Sequence, residues 1–536
     1  MRVDYDKEYA LHVGSVLRFS SLLFENTFSR SIFPSTEKVL RLLETTNLDV
    51  LLCVLRFLFV VSKHSDFLDR YSRKYDISPL RVYIKSIVEA WDSFDMAASF
   101  HQLCLDCTLP APDSFVTYLG SDRISVSVDR SKPLEDSLDK VLGDIRGWST
   151  KYAKYVTEYA IAKSKALFIH RLQDKSNRIK CALIRVLVIS IANYAKSLGL
   201  DSDIIAYESK VLCEIVKYEK LGQQFLCLKA EALRSLASIF FLKQIDLIKI
   251  ISAELSLANA YGTISTIMNT AHDLFVSENT PELSTEETDF YSALFSFVYH
   301  AGGNAREIDS DDSKIFDILV DIVANCRSDE SLITFITRSV RIIDNLVSFN
   351  TALLTNNRME LIAARFPTEI QNAKTSLENG TAVYPLQNMA LIKSLLNFMR
   401  RAIMDMHLGT VTMKQPTIEA LLYVFENAQH FGPSLFHPCY HLIISFISQE
   451  TNQINMIHET GLSQSILNCL MANDLMVSRE IIQGLPNLIS ALSLNNRGLE
   501  LIQTLKPMER IIRLIFSAKF LVTTSKKKDE MGNIIN

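Results

Sequence analysis

Residues 455–516 read NMIHETGLSQSILNCLMANDLMVSREIIQGLPNLISALSLNNRGLELIQTLKPMERIIRLIF, one repeat and the start of its copy. Ile457, Ile466, Leu467 and Leu470 fall on Ile502, Ile511, Ile512 and Ile515 after a shift of 45 residues. Between the two sets lies a helical run, 477–494 (VSREIIQGLPNLISALSL). A short helix, a longer helix and a further helix, at a period of about 40 to 47 residues, is the pattern of armadillo and HEAT arrays. One such unit cannot bury its own apolar face and must stack on neighbours. The expected fold is all-α: an armadillo/HEAT-like α-solenoid, a right-handed superhelix of helical repeats. Such a scaffold presents a surface and does not close around a catalytic pocket.

Composition points the same way. A chain of 536 residues exceeds a single globular core. Gly (16) and Pro (13) are both scarce, so breakers are few and helix dominates. A hydrophobic content of 48% is ample for burial. The net charge of −4 argues against a general nucleic-acid binder. The nine cysteines are scattered and odd in number, which reads as reduced, mostly buried thiols of an intracellular protein. The first residues (MRVDYDKEYALHV) carry acids and no apolar core, so they do not form a signal peptide. The most apolar run, 51–61, is too short to span a bilayer and contains Arg56, so no membrane partner is expected.

Several helices are legible. Leu391, Ile392, Leu395, Leu396, Met399, Ala402 and Ile403 form one apolar stripe, with Lys393, Arg400 and Arg401 off it. Leu226, Ala230, Leu233, Ala237 and Phe240 form another, with Lys229 and Arg234 outside. Residues 49–62 are apolar nearly all round, as for an inner helix. Asp309, Asp311 and Asp312 precede a helix at 314–325, where they suit the positive end of its dipole. Three segments break the pattern: 108–134, with a short strand at 124–128; the acidic connection 277–288; and 365–385, which holds two prolines and Gly380 and reads as a loop. The expected domains are N-terminal helical repeats (1–107), an irregular segment (108–150), further repeats completing a first domain (151–305), a second armadillo-like domain (306–522) and a disordered tail (523–536).

Candidate chemical motifs are weak. His101, Cys104 and Cys107 have metal-ligand spacing, but a structural zinc site needs four ligands and no second pair follows. His437 and His441 share a helix face, yet no Glu follows His437 to complete HExxH, and Pro438 suggests a helix start. Residues 309–313 lack the Gly and distal Glu of a calcium loop. Gly302 and Gly303 are an isolated pair, not a phosphate loop, and the sequon at Asn379 has meaning only in a secreted protein. The basic run 151–180 reads as the solvated face of one or two helices. No cofactor or metal is expected.

One resemblance spans residues 19 to about 521. The collinear elements are Phe28-Ser-Arg30 with the helix at 49–62, Ala293-Leu-Phe-Ser-Phe-Val-Tyr-His300, Thr334-Phe-Ile-Thr-Arg-Ser-Val-Arg-Ile-Ile-Asp344 and Leu395-Leu-Asn-Phe398. They continue with Asn427-Ala428, Phe431-Gly-Pro-Ser-Leu-Phe436, Leu485-Pro-Asn487, Ser490-Ala-Leu-Ser-Leu-Asn495 and Arg497-Gly498. Together they resemble the N-terminal region of the giant HECT-type E3 ubiquitin ligases, the animal enzymes with UBA and WWE modules and their fungal and plant relatives. The resemblance implies two adjacent armadillo-like domains within a very large solenoid that positions substrates. The HECT domain of such a ligase passes ubiquitin through a cysteine thioester to a substrate lysine. This chain shows no HECT, UBA or WWE sequence, so the expectation is a fragment that is inactive alone. Its partners would be protein substrates and other segments of the full-length ligase, in cytoplasm and nucleus. The alternative is a free-standing repeat adaptor; a HECT-coding region downstream in frame separates the two.

Within that scheme Arg338 and Arg341, three apart on one helix, are candidates to line a groove. Asn427, Asn487 and Asn495 stand where armadillo-like repeats use Asn to satisfy backbone groups or bind extended peptides. A purely structural role is the favoured reading for all five. Both ends read as cut from a longer stack: Leu11, Val13, Val16, Leu17, Phe19, Leu22, Leu23 and Phe24 begin within ten residues of the start with no polar capping helix ahead, and Ile511, Ile512, Leu514, Ile515, Phe516, Phe520 and Leu521 near the end are too broad an apolar set for one packed face.

Overall fold

The computed structural model describes residues 2–26, 36–45, 47–63, 78–93, 178–194, 202–218, 223–277, 282–303, 314–380, 384–471 and 479–516. Among them are 23 α-helices and no strand, an all-α helical-repeat fold. The strand expected at 124–128, the segment 108–150, the tail 523–536 and the His101, Cys104 and Cys107 set lie outside the described residues. None of the helices is long and apolar enough to cross a membrane among the described residues. The chain divides into two compact units, one of residues 1–264 and 284–307, the other of 265–283 and 308–536.

The first unit holds α1 (Arg2–Asn26), α2 (Thr36–Arg41), α3 (Leu48–Ser62), α4 (Ser78–Ser93), α5 (Arg178–Tyr194), α6 (Ser202–Lys217), α7 (Gln223–Phe241) and α8 (Ile245–Leu255). α9 (Thr263–Val276) falls mainly in the second unit, and α10 (Thr285–Gly302) returns to the first. Helices α1, α3, α5, α7 and α10 pack in series, each against the next. α3 is the inner helix expected: Asn47 caps it by accepting from the amides of Asp49 (2.9 Å) and Val50 (3.2 Å). Ser284 and Glu287 form a capping box at α10, so the acidic connection ends there. α1 has two apolar faces. Leu17 and Phe24 are buried on one, Phe24 edge-on to Phe57, while Leu11, Val16, Phe19, Leu22 and Leu23 are exposed on the other.

A polar seam runs across the row. Glu231 of α7 takes Arg56 of α3 (3.1 Å) and Arg234 (3.2 Å), and Arg234 also pairs with Asp289 of α10. Arg185 and Glu208 form a buried pair between α5 and α6. Lys229 corrects the sequence reading: it is buried, not outside, because α7 has neighbours on nearly every side.

The second unit continues with α11 (Ile315–Asn325), α12 (Ile333–Phe349), α13 (Asn356–Glu378), α14 (Leu386–Met406), α15 (Gly409–Thr412), α16 (Gln415–Glu426), α17 (Ala428–Phe431) and α18 (Pro433–Gln449). It closes with α19 (Ile454–Glu459), α20 (Leu462–Met471), α21 (Arg479–Leu492), α22 (Asn496–Leu505) and α23 (Pro507–Ile515). Contacts sort the long helices into two rows. One is α11–α13–α16–α20–α23 and the other α12–α14–α18–α21, with α17, α19 and α22 as short connectors. This stacking of helical repeats is what the period in residues 455–516 demands.

Two prolines were misread. The segment 365–385 is not a loop at its start, because α13 runs through Pro367 to Glu378. Pro367 forfeits one helical hydrogen bond, but Met359, Ile362, Phe366 and Ile370 are buried around it, so packing outweighs that loss. Pro438 lies inside α18, whose first residue is Pro433. Gly432 precedes it at φ 68° and ψ −178°, a conformation essentially confined to glycine. That explains the Phe-Gly-Pro-Ser-Leu-Phe element: the glycine makes the corner and Leu435 and Phe436 are the buried anchors behind it.

The Leu-Asn-x-Arg-Gly element is also structural. Asn495 caps α22 by accepting from the Gly498 amide at 2.8 Å. A Cβ on Gly498 would sit 1.8 Å from the carbonyl oxygen of Leu492. Gly498→Ala is therefore expected to cost about 1–3 kcal/mol, since a backbone atom must move. Chemical denaturation of the variant checks this, and an unchanged midpoint would refute the close approach.

Candidate functional site

Helices α12, α14, α18 and α21 are packed by their neighbours on most sides, so solvent reaches each along a narrow stripe. On α12 the stripe is Thr334, Arg338, Arg341, Asn345 and Ser348, at helical steps of four and three. On α14 it is Lys393, Asn397, Arg400 and Met404, flanked by the half-buried Ser394 and Arg401. On α18 it is Ser434, His437, His441, Ile444 and Ser448, and on α21 it is Gln483, Pro486, Asn487 and Ser490.

Neighbouring stripes meet. Arg401 Nη1 lies 3.0 Å from Asp344 Oδ1 and donates to the Asp344 carbonyl at 3.3 Å, joining α14 to α12. Burial raises the Asp344 carboxyl above its usual range, against the lowering effect of Arg401. On the other edge Arg400 faces His441 of α18. Burial first, then His437 and Arg400, hold the His441 imidazole down at about 4, so it is neutral near pH 7. The rings of His437 and His441 stand 4.3 Å apart, and Tyr440 between them donates to the Ile481 carbonyl of α21 at 3.3 Å.

The five candidates divide. Arg338, Arg341 and Asn487 fall on the stripes of this one row. Asn427 and Asn495 do not. Asn427 closes α16, its Nδ2 donating to the Tyr423 carbonyl at 2.9 Å. Asn495 is the α22 cap and its Nδ2 donates to Asn455 at 2.8 Å. Lys393, Asn397 and Arg400 were absent from the candidate set, although their place off the apolar stripe of residues 391–403 was the signal. The histidine pair, read from sequence as packed or solvated and not as metal ligands, lies half-buried on the same surface. Among the described residues no group of three or more His, Cys, Asp or Glu is placed to hold a metal ion.

The described thiols are inward-facing. Cys53, Cys181, Cys213, Cys326, Cys439 and Cys469 are buried and Cys227 is half-buried. Burial pushes Cys213 up to about 12, Cys326 and Cys469 up to about 11, and Cys439 further still. Such thiols are poor nucleophiles, because the thiolate is the reactive form.

Comparison with known proteins matches residues 10–80 to the family described as Domain of Unknown Function DUF908 and residues 337–535 to DUF913. The E3 ubiquitin-protein ligase HUWE1 of Mus musculus is 25% identical over 571 residues, covering 97% of this chain and 13% of the mouse protein. HUWE1 of Rattus norvegicus is 22% identical, covering 97% of the chain and 14% of the relative. The E3 ubiquitin-protein ligase ptr1 of Schizosaccharomyces pombe is 20% identical, covering 96% and 17%. The chain thus spans only 13–17% of the length of these relatives. The two domains and the end-to-end alignments make it a relative of the N-terminal region of giant HECT-type E3 ubiquitin ligases, as the collinear motifs implied. It corresponds to a segment of such a ligase. Among solved structures, an engineered protein aligns at a TM-score of 0.40 with 13% identity, covering 94% of this chain and 100% of its own. A chain from a study of the cadherin–β-catenin phosphorylation switch aligns at 0.36 with 10% identity, covering 90% and 96%.

Proposed function

We propose that this chain is a non-catalytic, substrate-recruiting and scaffolding segment of a HECT-type ubiquitin ligase. The observation that carries the reading is the burial of the described cysteines. A HECT nucleophile must present a thiolate to a ubiquitin thioester, and six of these seven thiols are buried while the seventh is half-buried. What the second unit offers to solvent is a continuous set of polar stripes across four packed helices, the kind of surface on which repeat proteins bind partners. In this reading the partners are protein substrates and other parts of the same ligase.

The test is a thioester assay on the chain as it stands. With activating enzyme, a charged E2 and ubiquitin, no thiol-sensitive ubiquitin adduct is expected on the chain. An adduct removed by reducing agent and lost on substituting any one of the nine cysteines would overturn the reading.

A further inference from the structure

We infer that the outward stripes of α12, α14 and α18, continued by α21, form a docking surface for an extended acidic peptide. The inference rests on the scaffold reading and deepens it by naming the partner's chemistry.

Charge is segregated between the two rows of the second unit. Helices α12, α14 and α18 carry five cations (Arg338, Arg341, Lys393, Arg400, Arg401) against two carboxylates (Asp344 and Asp405). Helices α11, α13 and α16 of the opposite row carry three cations against seven carboxylates. The chain as a whole is acidic, at −4, so this positive surface is local and not a consequence of composition. Asp344 is already engaged by Arg401. Arg341, Lys393 and Arg400 have no ion pair among the described residues, and all three are exposed. Beside His441 stands the Arg400 guanidinium, which after burial and His437 also disfavours protonation of the imidazole.

The neutral groups between the cations favour a peptide over a nucleic acid. Asn397, Gln483 and Asn487 are exposed amides that offer one donor pair and one acceptor each, matching the N–H and C=O of an extended main chain. Apart from the half-buried imidazoles of His437 and His441, the stripes carry no ring on which bases could stack, as single-stranded nucleic-acid sites use. Packed helices stand about 8–10 Å apart, so four in a row span about 27 Å. An extended chain rises about 3.3 Å per residue, so roughly eight or nine residues cross the row. Two acidic side chains about three residues apart then meet the basic stripes of α12 and α14, and the neutral stripes of α18 and α21 receive the rest of the main chain.

The experiment measures fluorescence anisotropy with the whole chain and a labelled ten-residue peptide bearing Asp at every third position. Its controls are the same peptide with Asn for Asp and a single-stranded RNA of similar length. The acidic peptide is expected to bind at least about tenfold more tightly than the amide analogue and to weaken with added salt. Arg341→Glu with Arg400→Glu should reduce binding at least about tenfold. Lys249→Glu, an exposed lysine of α8, should leave it unchanged. The milder pair Arg341→Gln with Arg400→Gln should give the same direction if the reversals fail to fold. Equal binding of the two peptides, insensitivity to both double variants, or tighter binding of RNA overturns the inference. So does sedimentation showing that the double variants dissolve a self-associated state, which would make a second copy the occupant. None of these results bears on the thioester assay, so the scaffold reading fails or stands separately.

Discussion

Replacing Arg365 with alanine is expected to destabilise the second unit by about 3–5 kcal/mol. Arg365 and Glu369 lie one turn apart on α13, with side chains 3% and 0% exposed. The guanidinium makes four hydrogen bonds. Its Nε donates to Glu369 Oε1 (2.8 Å), Nη1 to the carbonyls of Cys326 (2.6 Å) and Val323 (3.2 Å), and Nη2 to Ser328 Oγ (2.9 Å). Val323 is in the last turn of α11, where carbonyls lack intrahelical partners, and Cys326 is the residue that caps its end. Arg365 is therefore a C-terminal cap supplied from the next repeat, and it neutralises a carboxylate that has no other route to water. Truncation leaves the Glu369 charge buried with only the Ser328 hydroxyl (2.7 Å) for company. Lysine cannot substitute, because one ammonium cannot reproduce the planar fork. Arg365→Met combined with Glu369→Met should recover much of the loss, since no charge is then stranded. Denaturant unfolding gives the energies, and hydrogen exchange should place the weakening in α11 and α13. A single variant within about 1 kcal/mol of wild type would show that the cluster contributes little.

The second large effect is a contrast between two positions that the 45-residue register makes equivalent. Leu467 is fully buried on α20, packed among α16, α22 and α23. Leu467→Ala should cost roughly 2–5 kcal/mol through lost burial and the cavity left behind. Ile512 on α23 is 52% exposed, so Ile512→Ala should cost less than about 1 kcal/mol. Parallel denaturation curves decide it; equal losses would mean that Ile512 is covered in solution.

That contrast shows where the sequence stops informing. Ile512 was expected to match Leu467, and its side chain is apolar enough. The exposed set Met508, Ile512 and Phe516 lies at four-residue steps on one face of α23, while Ile511 is the buried one. Periodicity identifies an apolar face but not the partner that covers it. Helices with one obvious stripe, such as α14, were legible because burial follows the stripe directly. Helices whose fate depends on residues far away in sequence were not. Pro367 survives inside α13 because α13 is held at Arg365 by carbonyls some 40 positions upstream. Lys229 is buried because α5, α6 and α10 surround α7. For the surface, Arg338, Arg341 and Asn487 were legible as polar positions on apolar helices. Asn427 and Asn495 are spent on backbone groups, the structural alternative their repeat positions already offered.

The narrow stripes have an evolutionary consequence. Each helix of the α12–α14–α18–α21 row devotes most of its positions to its neighbours and only a few to solvent. On the docking proposal, folding and recognition are written at separate positions of the same helices, so a lineage can revise one text without disturbing the other. On that proposal, substitution at Arg341, Lys393 or Asn397 changes what the surface selects, one helix at a time, and leaves the buried positions beneath as they are.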